Sequence, residues 1–180
     1  MSKKSKNTTK AITLCAMLAA LSVVLLYVGA VIQVMDIAMA ALASFAVILA
    51  VVEYGKSAPW AIYGVTSVLS LILLPSKAPA AFYALFFGFY PILKEKFEKR
   101  NKLVCWVLKE IVFNICFVLM MLATLFFFTT GENELINPIT ITATVVLGEA
   151  VFVLYDIALT RLISFYVFNL RDRLRINKYR

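Results

Sequence analysis

Histidine is absent from the chain, which removes the side chain that serves most often as a general base or a metal ligand. The three cysteines, Cys15, Cys105 and Cys116, show no Cys-x-x-Cys spacing, so we expect small packing residues and no metal site. The six glycines are scattered, and no glycine-rich phosphate loop is present. We therefore expect a protein that is not an enzyme, binds no cofactor and cannot hydrolyse ATP itself.

Apolar residues take up most of the chain. They make up 63% of its 180 residues, and the mean hydropathy is +0.91. An ordinary globular domain is about 45–50% apolar. The composition predicts an integral membrane protein with a basic N-terminus at 1–10, a membrane domain at 11–168 and a basic tail at 169–180.

The apolar segments predict the number of membrane crossings. A spanning helix needs about 20 consecutive apolar residues. Six segments approach or exceed this length: 11–34, 37–52, 58–74, 78–93, 103–130 and 139–168. The second and the fourth are short, so a re-entrant segment remains an alternative for each. The sequence thus predicts an all-α integral membrane protein, a bundle of six transmembrane helices.

Basic residues fall on one side of this topology. All but two of the 18 lysines and arginines, Lys77 and Lys109, lie in the N-terminus, in the connections after the second and fourth segments, in the tail or, for Arg161, at the end of the sixth segment next to the tail. The positive-inside rule then places both termini in the cytoplasm of a multi-pass protein of the bacterial cell membrane. The net charge of +8 follows from this topology, so we expect contact with membrane lipids and no binding of nucleic acid.

The first predicted helix, KAITLCAMLAALSVVLLY, carries a face of small residues. Ala16 and Ala20 are four residues apart, and Ala19 extends the same face. Small residues at this spacing let another helix approach closely. The spacing does not decide whether that helix belongs to the same bundle or to a partner protein.

This first helix, the basic N-terminus and the six-helix layout resemble the S components of energy-coupling factor (ECF) transporters, which are their substrate-binding membrane subunits. The resemblance is specific in sequence mainly over residues 10–26. It implies that Ala16 and Ala20 contact the coupling helices of a membrane scaffold subunit. It also implies that two partner ATPase subunits supply energy, and that a vitamin or other micronutrient is captured from outside. The segment EYGKSAPWAIYGV resembles poorly characterised bacterial relatives, so the substrate stays open.

Two carboxylates, Glu149 and Asp156, lie in the apolar sixth segment, where an unpaired charge is costly. Their spacing places them on one helix face. The fifth segment runs antiparallel to the sixth, and residues at the same depth on the two predict a structural polar clamp of Asn114, Asp156 and Arg161. Glu110 is then the partner of Arg161. In the same alignment Glu149 meets no basic or amide partner on the fifth segment.

Glu149 is therefore the first candidate for ligand binding, since S components hold their substrate in the outer half of the bundle. A structural hydrogen bond to Ser67, Ser70 or Tyr83 is the alternative. The candidate ligand-binding residues are Glu149, Lys77, Tyr83, Asp36 and Asn137. Lys77 is the basic residue of the predicted outer side, so an anionic ligand would meet it, unless it only anchors a helix end.

Other functions fit the sequence less well. A structural protein like the rod-shape protein MreD, which scaffolds cell-wall machinery and has a similar size and helix count, is the alternative without a small-molecule ligand. A self-contained transporter or channel lacks a charged pathway across the bilayer. The Tyr155-Asp156 pair resembles one motif of intramembrane aspartyl proteases, but the second motif, GxGD, is missing.

Overall fold

The computed structural model describes residues 3–55, 57–128 and 138–170, and these residues are helical with short connections. The helices are α1 (Lys3–Val31), α2 (Asp36–Tyr54), α3 (Ala58–Leu73), α4 (Ala78–Phe82), α5 (Tyr90–Phe97), α6 (Lys102–Phe128) and α7 (Pro138–Phe165). A 3₁₀ turn at Gln33–Met35 precedes α2, and π-helical turns follow α4 at Tyr83–Phe87 and α7 at Tyr166–Leu170. Residues 171–180, most of the predicted basic tail, lie outside the described residues.

Four of the described helices are long and apolar enough to cross a membrane. The segments are Ala11–Val31 of α1, α2 itself, Lys102–Leu122 of α6 and Ile141–Phe168 of α7 with its π-helical extension. Helix α3 is apolar but has only 16 residues. The all-helical fold predicted from the sequence is confirmed for the described residues, and four of these helices could cross a membrane. The count of six crossings and the side of the termini stay predictions.

Helix α2 lies at the centre of the bundle and contacts α1, α3, α4, α5 and α7. Its inward positions are mostly small, and Ala40, Ala43 and Ala50 are fully buried, which lets neighbouring helices approach closely. Hydroxyl groups add cross-links, since Ser22 on α1 donates to the carbonyl oxygen of Ala43 at 3.1 Å.

The fourth predicted segment is a broken helix. The structure replaces the continuous helix expected over 78–93 by α4, a π-helical turn and α5. Two residues account for the break. Pro91 has no N–H to donate to the preceding turn. Gly88 lies so close to Tyr63 that a Cβ at position 88 would approach its ring to 2.5 Å. Tyr63 in turn donates a hydrogen bond to the carbonyl oxygen of Ala84 at 2.9 Å within the π-helical turn.

Aromatic rings join this broken segment to α6 and α7. Phe113 and Phe152 stack with their ring centres 4.4 Å apart. Phe86 meets both rings edge-on, and Tyr90 meets Phe152 in the same way. The stack holds α5, α6 and α7 together beside the polar side chains described next.

Candidate functional site

A buried cluster of charged side chains joins α5, α6 and α7 around Asp156. The exposed fractions are 4% for Asp156, 1% for Lys94 and 5% for Lys109. The Lys94 ammonium donates to Oδ1 of Asp156, and the Lys109 ammonium donates to Oδ2 at 2.9 Å. The hydroxyl of Tyr90 donates to Oδ1 at 2.7 Å, so both carboxylate oxygens have charged or polar partners.

Glu98 supplies the second negative charge of this cluster, which balances its two lysines. Its Oε1 lies 3.3 Å from the Lys94 ammonium and 3.4 Å from that of Lys109. The Glu98 side chain is 43% exposed, so the cluster reaches the surface on this side. Lys94 also donates to Thr160 Oγ1 at 2.8 Å. Burial lowers the pKa of Lys94, which lies on α5 outside the long apolar helices, and its hydrogen bond to Asp156 opposes that shift.

The cluster satisfies its own charges and therefore acts as a tie between helices. A buried ion pair is stable only when hydrogen bonds saturate both partners, and here three helices supply them. No group of three or more histidine, cysteine or acidic residues in the described part of the chain is placed to hold a metal ion. The hydrogen bonds of Asp156 connect α7 to α5 and α6 within the bundle.

The pairing of α6 with α7 differs from the sequence prediction. The prediction paired Asn114 with Asp156, whereas Asn114 donates to Glu149 Oε1 at 3.0 Å and Asp156 pairs with Lys109. Arg161 is exposed and forms no ion pair with Glu110 in the described residues. The physical reason is charge: an ammonium pairs more strongly with a buried carboxylate than an amide does. The Lys109–Asp156 pair therefore sets the register.

Glu149 therefore has an amide partner on α6, whereas the predicted pairing of the two helices gave it none. Asn114 supplies this hydrogen bond, and Glu110 is the second neighbour of the Glu149 carboxyl group. Glu149 is half-buried and Asn114 is exposed, so this pair lies at the edge of the bundle. Its structural use is established by the contact, and a role in ligand binding stays a prediction.

The other predicted ligand residues are spread over the structure. Asp36 begins α2, and its Oδ1 is buried without a hydrogen-bond partner. Lys77 is exposed and donates to the carbonyl oxygen of Leu74 at 2.7 Å. Tyr83 is fully buried in the π-helical turn. Asn137 lies outside the described residues. Within those residues, no hydrogen bond or ion pair joins Asp36, Lys77 or Tyr83 to Glu149.

An apolar groove of about 680 Å³ lies between residues 11–19 of α1 and the first half of α3, beside the end of α2. On α1 it is lined by Ala11, Ile12, Cys15, Ala16 and Ala19, and across from them by Tyr54, Ser57, Ala58, Ala61, Ile62 and Val65. Ala19 is buried, whereas Ala16 and Ala20 are exposed. Of the two predicted partner-contact residues, Ala16 lines the groove and Ala20 does not.

Lys94 and Tyr90 were not predicted as site residues, because both follow a helix break that composition does not reveal. Lys94 was assigned to the basic connection after the fourth segment, yet it is buried against Asp156. The signal was available in YPILK, where a lysine directly follows apolar residues at the end of a predicted helix.

Comparison with known proteins adds no relative. No protein-family model, no curated protein and no solved structure matches the chain.

Proposed function

We propose that the chain is the substrate-capture subunit, the S component, of an ECF-type importer in a bacterial cytoplasmic membrane. It takes up a vitamin or another micronutrient, and a scaffold subunit and two ATPase subunits provide the energy. Six membrane crossings with both termini in the cytoplasm belong to this proposal. The observation that carries it is the groove between α1 and α3, which the small residue Ala16 lines.

Packing within the chain buries only part of the small-residue face of α1. Ala19 turns into the bundle, but Ala16 and Ala20 stay exposed on the described surface. Lipid tails gain nothing from small side chains, whereas a helix of a partner protein does, because its backbone can come close. A shallow groove with Ala58 and Ala61 on its other wall fits such a partner helix.

The groove lies at the end of the bundle where the sequence places the basic residues. Lys10 directly precedes its α1 wall, and Lys56 directly precedes Ser57 on the other wall. By the positive-inside rule this end faces the cytoplasm. Subunits that hydrolyse ATP act on the cytoplasmic side, so the position of the groove agrees with the proposed coupling.

Affinity purification from native membranes in mild detergent tests the proposal. Recovery of two ATPase subunits and a membrane scaffold with the wild-type chain, and their loss with Ala16→Leu/Ala20→Leu, is the expected result. Val24→Leu is the matched control, because Val24 is also exposed on α1 and the change adds bulk outside the groove. Equal recovery with all three chains would contradict the assignment of Ala16 and Ala20.

A structural role like that of MreD is the second candidate. It is favoured by the hydrogen bond between Asn114 and Glu149, which gives the best ligand candidate a purely structural use. This candidate predicts that cell-wall synthesis proteins are recovered in the same purification, and that no small molecule is retained.

A further inference from the structure

A polar patch interrupts the apolar surface that α6 and α7 form together. It consists of Glu110 and Asn114 on α6 and Glu149 on α7, and is named the carboxyl patch. All three residues belong to segments long and apolar enough to cross a membrane. Glu110 lies about 12 Å along α6 from its first residue, and Glu149 about 16 Å along α7. The patch therefore lies away from the helix ends, within the apolar spans.

The carboxyl patch lies on the outer surface of the bundle. Asn114 is exposed, and Glu110 and Glu149 are partly exposed. Lipid tails offer no hydrogen bonds, and ionisable side chains inside membranes almost always face protein or a water-filled cavity. The residues three or four positions away on the same helix faces are exposed and apolar, namely Val107, Ile111, Val118, Val145 and Val146. Polar groups framed in this way indicate a surface that another protein covers.

Contacts within the patch leave it with hydrogen-bond acceptors. Asn114 Nδ2 donates to the carbonyl oxygen of Glu110 at 3.1 Å and to Oε1 of Glu149 at 3.0 Å, so both of its N–H groups are used. Oε2 of Glu110 is buried and has no hydrogen-bond partner among the described residues. Carboxylate oxygens accept hydrogen bonds and donate none. A partner must therefore supply donors.

The charge of the patch identifies the kind of donor. Within the described residues, no ion pair includes Glu110 or Glu149. Lys109, next to Glu110 in the sequence, is buried against Asp156 and also pairs with Glu98. Neighbouring carboxylates repel each other when both are charged, and a nearby positive charge stabilises both. A cationic side chain complements the patch, whereas a second copy of the chain would bring acceptors against acceptors.

We propose that the carboxyl patch is a docking surface for a transmembrane helix of a partner protein, and that this helix carries an arginine or a lysine at the level of Glu110 and Glu149. The cation donates to the carboxyl oxygens, and the apolar side chains around the patch pack against the rest of the partner helix. The patch lies on α6 and α7, whereas the groove described above is lined by α1, α3 and the end of α2. The inference therefore does not depend on the proposed function.

Photo-cross-linking to model peptides tests this surface. The purified full chain is reconstituted in phosphatidylcholine vesicles with a synthetic transmembrane peptide of leucine and alanine. The peptide carries one central arginine and a photoreactive diazirine one turn away, and matched peptides carry glutamine or leucine in place of the arginine. Cross-linked residues are identified by mass spectrometry.

Variants of the chain show whether the carboxyl groups are responsible. Glu110→Gln/Glu149→Gln removes both charges, and glutamine keeps an acceptor oxygen for Asn114, so the contact within the chain can remain. Glu95→Gln is the matched control, because it removes a carboxylate that pairs with Lys99 outside the patch.

The arginine peptide is expected to cross-link to α6 and α7 at least about fivefold more than the leucine peptide. This preference should be lost in Glu110→Gln/Glu149→Gln and kept in Glu95→Gln. Equal cross-linking of the arginine and leucine peptides, or a preference that the double variant keeps, would overturn the proposal. Equal cross-linking of the arginine and glutamine peptides would overturn the cationic partner.

A second copy of the chain is the other occupant to be tested. A benzophenone amino acid at Ile111, which is 50% exposed beside the patch, is compared with the same group at Leu71 on α3, which is 46% exposed. In vesicles without peptide, position 111 is expected to give no more covalent dimer than position 71. Dimer formed preferentially from position 111 would overturn the proposal and assign the patch to self-association. None of these results bears on recovery of the ATPase subunits, so this proposal and the proposed function fail separately.

Discussion

Lys109 on α6 lies 2.9 Å from Oδ2 of Asp156 on α7, and this buried ion pair fixes how the two helices are aligned. With the pair in place, Asn114 comes level with Glu149. The alignment determines that Asp156 pairs with a charged ammonium group and that Glu149 accepts a hydrogen bond from an uncharged amide. Asp156 therefore ties helices together inside the bundle, whereas Glu149 lies at the edge of the bundle.

Asp156→Asn is expected to destabilise the protein strongly. The change leaves Lys94 and Lys109 buried with only the partly exposed Glu98 as a counter-charge. Removal of one partner from a buried ion pair costs about 3–5 kcal/mol. Thermal unfolding in detergent, followed by size-exclusion chromatography, measures the loss.

Glu95→Gln is the control for this experiment. Glu95 pairs with Lys99 at 2.7 Å on the surface, where both side chains are accessible. Such a pair contributes about 0–1 kcal/mol. Similar losses for Asp156→Asn and Glu95→Gln would contradict the view that the buried cluster holds α5, α6 and α7 together.

A double substitution tests whether Lys109 acts through Asp156. Lys109→Met and Asp156→Asn each break the pair that joins α6 to α7, so the double variant should lose less stability than the two single losses added together. A coupling energy of about 0.5–3 kcal/mol is expected for residues in direct contact. Additive losses would mean that the two residues stabilise the bundle independently.

The register of α6 and α7 can be measured by cross-linking. In a chain without native cysteines, Asn114→Cys with Glu149→Cys should be joined by a short bifunctional thiol reagent, because the native side chains are in contact at 3.0 Å. Asn114→Cys with Asp156→Cys should react poorly, since position 156 is about 10 Å further along the helix. The reverse preference would restore the pairing expected from the sequence.

Two glycine substitutions test the helix break. Gly88→Ala is expected to destabilise by about 1–3 kcal/mol, because the added methyl overpacks the contact with the Tyr63 ring. Gly64→Ala, on α3, meets nothing within 4 Å and should be neutral or slightly stabilising. The unfolding midpoints of the two variants give the comparison. Equal effects would show that Gly88 is not needed for the close approach of the broken segment.

The helical fold was largely predictable because long apolar segments favour helices that can cross a membrane. The limits of α2 and α3 differ from the predicted segments by no more than two residues. The break after Phe82 was not predicted, because it depends on the contact of Gly88 with Tyr63, which are 25 positions apart in the numbering.

The candidate site was predicted only in part, for a similar reason. The sequence showed that Asp156 needs a partner inside the bundle, and the structure supplies Lys94, Lys109 and Tyr90. Composition cannot choose between lysine and asparagine as that partner. The choice follows from which helices are neighbours, and Lys94 reaches Asp156 only because the fourth segment is broken.

Photo-cross-linking from the groove is the sharpest test of the proposal that the groove binds an ECF scaffold subunit. A benzophenone amino acid at Ile12, which lines the groove and is 64% exposed, is compared with the same group at Leu71 of α3, which is exposed outside the groove. The captured protein is identified by mass spectrometry after irradiation of native membranes. If the groove binds an ECF scaffold subunit, as proposed, that subunit is captured from position 12 and not from position 71. Capture of a cell-wall synthesis protein from position 12, or of the scaffold equally from both positions, would contradict it.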